Sequence, residues 1–405
     1  MAQAGSGRRQ VLGFEQGSVG SMGSPGGKPF VLFCAGEDSG DILGESLVRE
    51  TMAAGLDTCG AGGARMQGAG LRPLVNFEHL PVSGFGDVLA SCRTLRKDLE
   101  ELRSVLCSPQ CLAFVAIDYP GFNMKLVRLA KRLGKPALYV APPQIWAWKS
   151  GRAKQLREIP LAVFFDFEAD AYRKFGCEPR LIQHPLASAR LPVRRPDRGE
   201  VLLLPGSRRA QAARNIRAFL KTALDAACRI DAECGKVTIL AARESLQVSF
   251  TEIVRNLPAQ SACRVKVEVA PAGVEERLER YSQAVLALVC PGTATLEVSL
   301  AGVPMVVCTK PDFLTYALGK MLVRTGNFAL PNLVLGKNVF EEIIVPPMMR
   351  AGIGAGANLV AACRRAVEKD MDSVAQSVQG ILARGQTSRE LMLEFLGKLI
   401  EGQAH

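Results

Sequence analysis

The sequence has little of what metal centres, disulfide scaffolds and nucleic-acid platforms are built from. Its three histidines, His79, His184 and His405, supply few ligands for a zinc site. Twelve cysteines in 405 residues include no Cys-x-x-Cys pair, the closest spacing being Cys107 to Cys111. Several, among them Cys34, Cys290 and Cys308, sit inside apolar runs as small hydrophobes, so reduced cytosolic thiols are expected. Aromatic residues are only 6% of the chain, too few for the stacking platforms of single-stranded nucleic-acid binders. No apolar run approaches the roughly 18 residues of a membrane span. Residues 1–27 are rich in Gly and Ser without an apolar core, and are expected to be a disordered tail rather than a secretory signal. No Walker A pattern occurs. The run Gly60-Ala61-Gly62-Gly63 does not complete Gly-x-Gly-x-x-Gly, because Arg65 takes the last place.

What is present is ordinary globular material. Hydrophobic residues make up 48% and charged residues 22%, and the length suits two or three domains. The net charge of +11 is uneven: between Ser91 and Pro160, thirteen Lys and Arg stand against five Asp and Glu. Such a patch suits anionic lipid, phosphate-bearing ligands or nucleic acid, and equally a solvated helix face.

Short apolar runs alternate with amphipathic stretches, the pattern of parallel α/β units. Strands are expected at Pro29–Cys34, Cys111–Ile117, Ala137–Ala141 and Leu161–Phe165, with a helix over Asp41–Ala53 after the first. Pro185–Gly199 holds three prolines and four arginines and no periodicity, which marks a linker, drawn over residues 187–199. The rhythm restarts with strands at Val201–Leu204, Lys236–Ala241, Val265–Val269, Ala284–Val289 and Pro304–Thr309. The last fifty residues or so, from about Ala357, read as helices. The expected architecture is α/β: two Rossmann-like parallel-sheet domains, residues 28–186 and 200–350, followed by C-terminal helices over 351–405.

Ligands of open parallel sheets bind beyond the carboxyl ends of the strands, and four loops stand there. The first, Ala35-Gly36-Glu37-Asp38-Ser39-Gly40-Asp41, puts three carboxylates at a helix start; these suit sugar hydroxyls better than phosphate, and Ser39 or Asp41 could simply cap the helix. The second, Ile117-Asp118-Tyr119-Pro120-Gly121-Phe122-Asn123, places Asp118 at a strand end. There it could take a proton from a substrate hydroxyl or only brace the turn behind it. The third, Leu204-Pro205-Gly206-Ser207-Arg208, offers close backbone approach, a hydroxyl and a forked cation, which suit a diphosphate. In the fourth, Pro291-Gly292-Thr293-Ala294-Thr295-Leu296-Glu297, Gly292 and Thr293 can meet phosphate, and Glu297, a turn further on, can hold ribose hydroxyls. The second domain reads as the nucleotide half.

Together these loops resemble the lipid-A-disaccharide synthase family of GT-B glycosyltransferases. The likeness runs from about Pro29 through AGEDSGD (Ala35–Asp41), GGARM (Gly62–Met66), IDYPGFN (Ile117–Asn123), QIWAWKSGRAK (Gln144–Lys154), LLPGSR (Leu203–Arg208), GTATLE (Gly292–Glu297) and LPNLVLG (Leu330–Gly336). The resemblance implies an inverting, metal-independent transfer without a cofactor. UDP-2,3-diacylglucosamine and 2,3-diacylglucosamine 1-phosphate (lipid X) would give the β-1,6-linked lipid A disaccharide 1-phosphate and UDP. It implies Asp118 as the base, with Glu37 and Ser39 lining the same cleft and Gly36, Gly40 and Asp41 on the acceptor side. Gly206, Ser207, Arg208, Gly292, Thr293, Glu297 and Asn332 would hold the nucleotide sugar. It also implies a cytoplasmic enzyme peripheral on the anionic inner face of the inner membrane, with no nucleic-acid partner and with a homodimer left open. The front domain would face acceptor and membrane, and the C-terminal helices would pack back toward it.

The chain departs from the family's pattern at Gln183, Ser188, Gln211, Thr309 and Val345, all in the hinge or the nucleotide domain. Trp146 and Trp148 read as packing or as substrate contacts, and Lys149, Arg152 and Lys154 as a solvated helix start or a phosphate clamp. His184 reads as structural or as a neighbour of the nucleotide. Three rivals remain: another cell-envelope GT-B UDP-sugar transferase or epimerase, a nicotinamide-dependent oxidoreductase, and a basic, non-enzymatic nucleic-acid or membrane-surface protein.

Overall fold

The computed structural model describes residues 28–77, 80, 85–145, 150–195, 200–231, 235–313, 315–316, 327–349, 355–368 and 370–403, with the backbone alone at 85–92, 355–357 and 400–403. The tail 1–27, His79, Trp146, Trp148, Lys149, residues 196–199 of the linker and His405 lie outside the described residues.

Two parallel sheets organise the chain. The front sheet contains β1 (Phe30–Ala35), β2 (Asp57–Ala61), β3 (Arg72–Pro73), β4 (Cys111–Ile117), β5 (Ala137–Val140), β6 (Leu161–Val163) and β7 (Pro179–Leu181) in the order β3-β2-β1-β4-β5-β6-β7. The rear sheet contains β8 (Glu200–Leu204), β9 (Lys236–Ala241), β10 (Val265–Val269), β11 (Leu286–Val289), β12 (Met305–Thr309) and β13 (Glu341–Ile344) in the order β10-β9-β8-β11-β12-β13. The central strands are apolar on both faces because helices cover both, as in FVLFCA of β1 and CLAFVAI of β4. Cys34, Cys290 and Cys308 are buried among them, and burial pushes the Cys290 thiol up to about 11, so these thiols stay neutral.

In each sheet the strand order reverses once, between β1 and β4 in front and between β8 and β11 behind. At such a switch point the crossovers leave on opposite faces and a crevice opens beyond the strand ends. All four chemistry-bearing loops follow these four strands.

The C-terminal helices join the halves. Asp372–Leu382 packs on Thr293–Leu300 and Leu330–Leu335, while Ser388–Gln403 lies against Asp38–Ala53. Between them the chain pairs with the front sheet at Ile182↔Gln386, and Gln183 donates its backbone N–H to Gln386 O at 2.8 Å. Gly385 sits at φ +90°, where an added Cβ would lie 2.3 Å from Leu181 O, so only glycine permits this approach. One buried cluster runs from Val31 and Phe33 through Ile182, Leu186, Leu382 and Leu396 to Leu202 and Val289. His184 lies in it beside Phe164 and Phe165, its Nδ1 accepting the Leu186 N–H at 3.2 Å. Burial pulls its pKa down to about 4, so the ring is neutral and structural at this crossing.

Candidate active site

Glu37 follows β1 in an extended conformation, and the next helix begins at Asp38, three residues earlier than the periodicity indicates. The glycine before it is forced: a Cβ on Gly36 would lie 2.3 Å from the Tyr119 ring. Gly40 packs its helix onto Ala35 and Ile117. Asp41, expected on the acceptor side, has both oxygens engaged by backbone N–H groups, from Arg65 at 3.0 Å and Met66 at 3.1 Å. It therefore caps the short helix Ala64–Gly68 rather than its own. Two buried bonds to a carboxylate are at stake, so Asp41→Ala should lose about 2–3 kcal/mol in chemical denaturation and leave UDP affinity unchanged. A selective loss of substrate affinity at full stability would return Asp41 to the acceptor site.

Asp118 directly follows β4 in a left-handed conformation, φ 46°, and Tyr119 comes next at φ 48°. Burial, then the neighbouring Glu37 carboxylate, push the Asp118 pKa up to about 6, against the opposing pull of the Tyr119 N–H and of Arg208. A carboxylate so tuned is ionised at neutral pH and close to the basicity that proton transfer favours.

Across the crevice, Gly206 adopts φ +107° over the buried Cys290, and the exposed Ser207 and Arg208 lead into the helix Arg209–Ile230. The loop is held from beneath. Asn215 Nδ2 donates to Pro205 O at 2.8 Å, and its Oδ1 accepts Lys310 N–H at 2.8 Å, tying the end of β8 to the end of β12. Gln211 Nε2 reaches Cys290 Sγ at 3.4 Å. Gly292, at φ +149°, and the exposed Thr293 open the helix Thr293–Leu300; the Thr295 N–H donates to Gly292 O at 3.0 Å, and the N-terminal end of this helix suits an anion.

Two residues expected to meet the nucleotide already have protein partners. Glu297 is buried and accepts from Arg277 Nη2 at 2.7 Å and Nε at 2.9 Å, and from the Tyr281 hydroxyl at 3.2 Å. Of the roughly four acceptor directions of a carboxylate, this leaves one for a ribose. Asn332 is fully committed. Its Nδ2 donates to Phe340 O and Glu342 Oε1, both at 2.7 Å, and its Oδ1 accepts Val339 N–H at 3.0 Å and Phe340 N–H at 2.9 Å. In this conformation it organises the loop before β13 and has no side-chain donor left for a ligand.

Among the described residues, arginines bridge the crevice. Arg208 Nη2 donates to Glu37 Oε1 at 3.2 Å, Arg243 Nη1 to Asp38 Oδ2 at 3.5 Å, and Arg65 Nη2 to Ala272 O at 2.5 Å. The sequence reading missed Arg65, Arg243, Arg277 and Asn215. For Arg277 a signal existed: it shares a helical stripe with Val274, Leu278 and Tyr281, where a solvated arginine is out of place. Among the described residues, no group of three His, Cys, Asp or Glu side chains could hold a metal ion.

Two parallel α/β sheets facing one crevice across their switch points, with the last helices returning to the front half, define a GT-B glycosyltransferase. Solved structures agree in fold. Arabidopsis thaliana UGT89C1 complexed with UDP matches at a TM-score of 0.56 and 11% identity, over 92% of this chain and 100% of that one. The kitacinnamycin glycotransferase matches at 0.56 and 13%, over 92% and 99%. Within that class, the family model for lipid-A-disaccharide synthetase matches residues 31–394, and the chain belongs to this family. The lipid-A-disaccharide synthase of Geobacter sulfurreducens is 31% identical over 396 residues, covering 91% of this chain and 98% of its own. That of Coxiella burnetii is 32% identical over 329 residues, covering 78% and 84%. The protein is a glycosyltransferase of lipid A biosynthesis.

Proposed function

We propose that the enzyme transfers the diacylglucosaminyl group of UDP-2,3-diacylglucosamine to the 6-hydroxyl of 2,3-diacylglucosamine 1-phosphate with inversion. The observation that carries this reading is the convergence of Asp118 and Glu37 from the front half with Arg208 from the rear half. Asp118 takes the proton of the acceptor hydroxyl as that oxygen bonds to the donor's anomeric carbon. The bond from that carbon to the diphosphate breaks on the opposite face, and UDP leaves. Arg208 meets the charge that accumulates on the leaving diphosphate, where a fixed cation lowers the barrier most. Gly206, Ser207, Gly292 and Thr293 supply backbone and hydroxyl donors, and Glu297, oriented by Arg277, holds the ribose.

Arg208 Nη2 rests on Glu37 Oε1 at 3.2 Å. Both groups are about a third or more exposed, so the pair is worth roughly 0–1 kcal/mol and a diphosphate displaces it easily. The helices Phe85–Cys107 and Pro120–Arg132 pack together and expose Arg93, Arg96, Lys97, Lys125, Arg128 and Arg132. This basic face suits the anionic inner leaflet, where both acylated substrates reside, at roughly 1 kcal/mol per cation. No helix among the described residues is long and apolar enough to cross a membrane.

The test is incubation with both lipid precursors and mass analysis of the product. UDP and the disaccharide phosphate should appear with UDP-diacylglucosamine and not with UDP-N-acetylglucosamine. Turnover of the latter, or an epimerised donor without coupling, would assign the site to another UDP-sugar reaction.

A further inference from the structure

The loop that carries Asp118 is held from beneath by two side chains of the front half, Asn123 and Tyr139. Asn123, fully buried at the start of the helix Pro120–Arg132, aims its Nδ2 at three backbone carbonyls: Cys34 O at 3.0 Å, Ile117 O at 3.1 Å and Asp118 O at 2.8 Å. Tyr139, buried in β5, donates its hydroxyl to the same Asp118 carbonyl at 2.9 Å. The Asp118 N–H donates to Val140 O at 3.0 Å, so both sides of that residue's backbone are fixed.

These bonds answer a specific problem. Asp118 and Tyr119 are consecutive non-glycine residues at positive φ, a conformation that L-residues avoid and that persists only when its surroundings over-determine it. Leaving the strand in this way turns the Ile117 and Asp118 carbonyls away from the regular ladder and into the protein, where they need donors. A primary amide supplies two N–H groups in one fork; an oxygen in that place would face three carbonyl oxygens. The orientation of the amide is therefore unambiguous, and it leaves Oδ1 of Asn123 buried without a partner.

We propose that Asn123 and Tyr139 are positioning residues: by fixing the Asp118 carbonyl they hold the left-handed turn that carries the Asp118 carboxylate toward Glu37 and the substrate hydroxyl. This rests on Asp118 being the base. A base displaced by about 1 Å loses on the order of 100-fold in rate, while the diphosphate loops of the rear half are untouched.

The experiment compares full-length wild type, Tyr139→Phe and Asn123→Ala in steady-state kinetics across pH, with UDP binding by calorimetry and thermal melting alongside. Tyr139→Phe removes one hydroxyl and keeps the ring, so it remains folded if Asn123→Ala does not. The expected result is a kcat reduced about 10-fold in Tyr139→Phe and about 100-fold in Asn123→Ala, with UDP affinity within about twofold of wild type. The acid limb of the rate profile should shift, since the groups around the Asp118 carboxylate are Glu37, Arg208 and Tyr139 and their distances to it change. A Tyr139→Phe variant with wild-type kcat overturns the proposal. So does a rate loss with an unmoved acid limb that disappears when the assay is cooled, which would mark a purely structural role. Wild-type turnover by Asp118→Asn would instead remove the base assignment, a separate outcome read in a separate variant.

Discussion

Asp118→Asn should lower kcat by about 10²–10⁴-fold while leaving UDP affinity near the wild-type level. The amide is isosteric and neutral, so it keeps the turn but cannot accept the acceptor's proton. In the wild type, kcat/KM should fall about tenfold per unit as pH drops below about 6, as the carboxylate takes up its proton. Stability should move the other way. The Asp118 pKa is raised in the folded protein, from an ordinary 3.8 to about 6, so the folded state binds the proton more tightly and the ionised group destabilises it above pH 6. Removing the charge should therefore stabilise the variant by about 1–3 kcal/mol at pH 7–8, and that gain should vanish below about pH 4. An inactive but more stable variant is what a desolvated base produces. Loss of activity, UDP binding and stability together would mark Asp118 as a structural residue.

Strands buried on both faces were legible to the residue: β4 and β9 have the expected bounds, because largely apolar runs of that length fit little else. β10, the half-buried VKVEV at the sheet's edge, also has the expected bounds, and there the signal is strict alternation. Four strands escaped. β2, DTCGA, carries a glycine at φ +142°; β3 has two residues; β7 begins on Pro179; and β13 carries two glutamates at the sheet's edge. Glu37, Asp118, Arg208, Gly292 and Thr293 could be found because each lies in the loop after a readable strand, and topology gathers the ends of β1, β4, β8 and β11. What the sequence does not reveal is whether a polar side chain will be used by a ligand or by the protein. Asp41, Asn332 and Glu297 are the right residue types at suggestive places, yet their partners are Arg65 and Met66, the loop before β13, and Arg277. Asn123 lay within a quoted motif and had no role there, because its three carbonyl partners come together only when β1 and β4 pair.

Arg208→Ala should lower both rate and UDP affinity, which distinguishes it from any change at the base. The diphosphate is present before and after transfer, so a cation that holds it contributes to ground-state binding, at about 10–100-fold in Kd for a charge-assisted bond. Charge also builds on the leaving oxygen as the bond breaks, so a further about 10²–10³-fold should appear in kcat. Folding stability should change by less than about 1 kcal/mol, since the ion pair lost is the exposed one with Glu37. The pH profile gives a third, independent reading. Arg208 lowers the Asp118 pKa, so its removal should move the acid limb to higher pH, and the deficit relative to wild type should be largest near pH 6 and smaller at pH 8. Arg208→Lys keeps the charge but not the fork, and should recover the position of the limb better than the affinity for UDP. Wild-type UDP affinity in Arg208→Ala would place the diphosphate elsewhere, and the trans-crevice contact with Glu37 would then be only a surface ion pair.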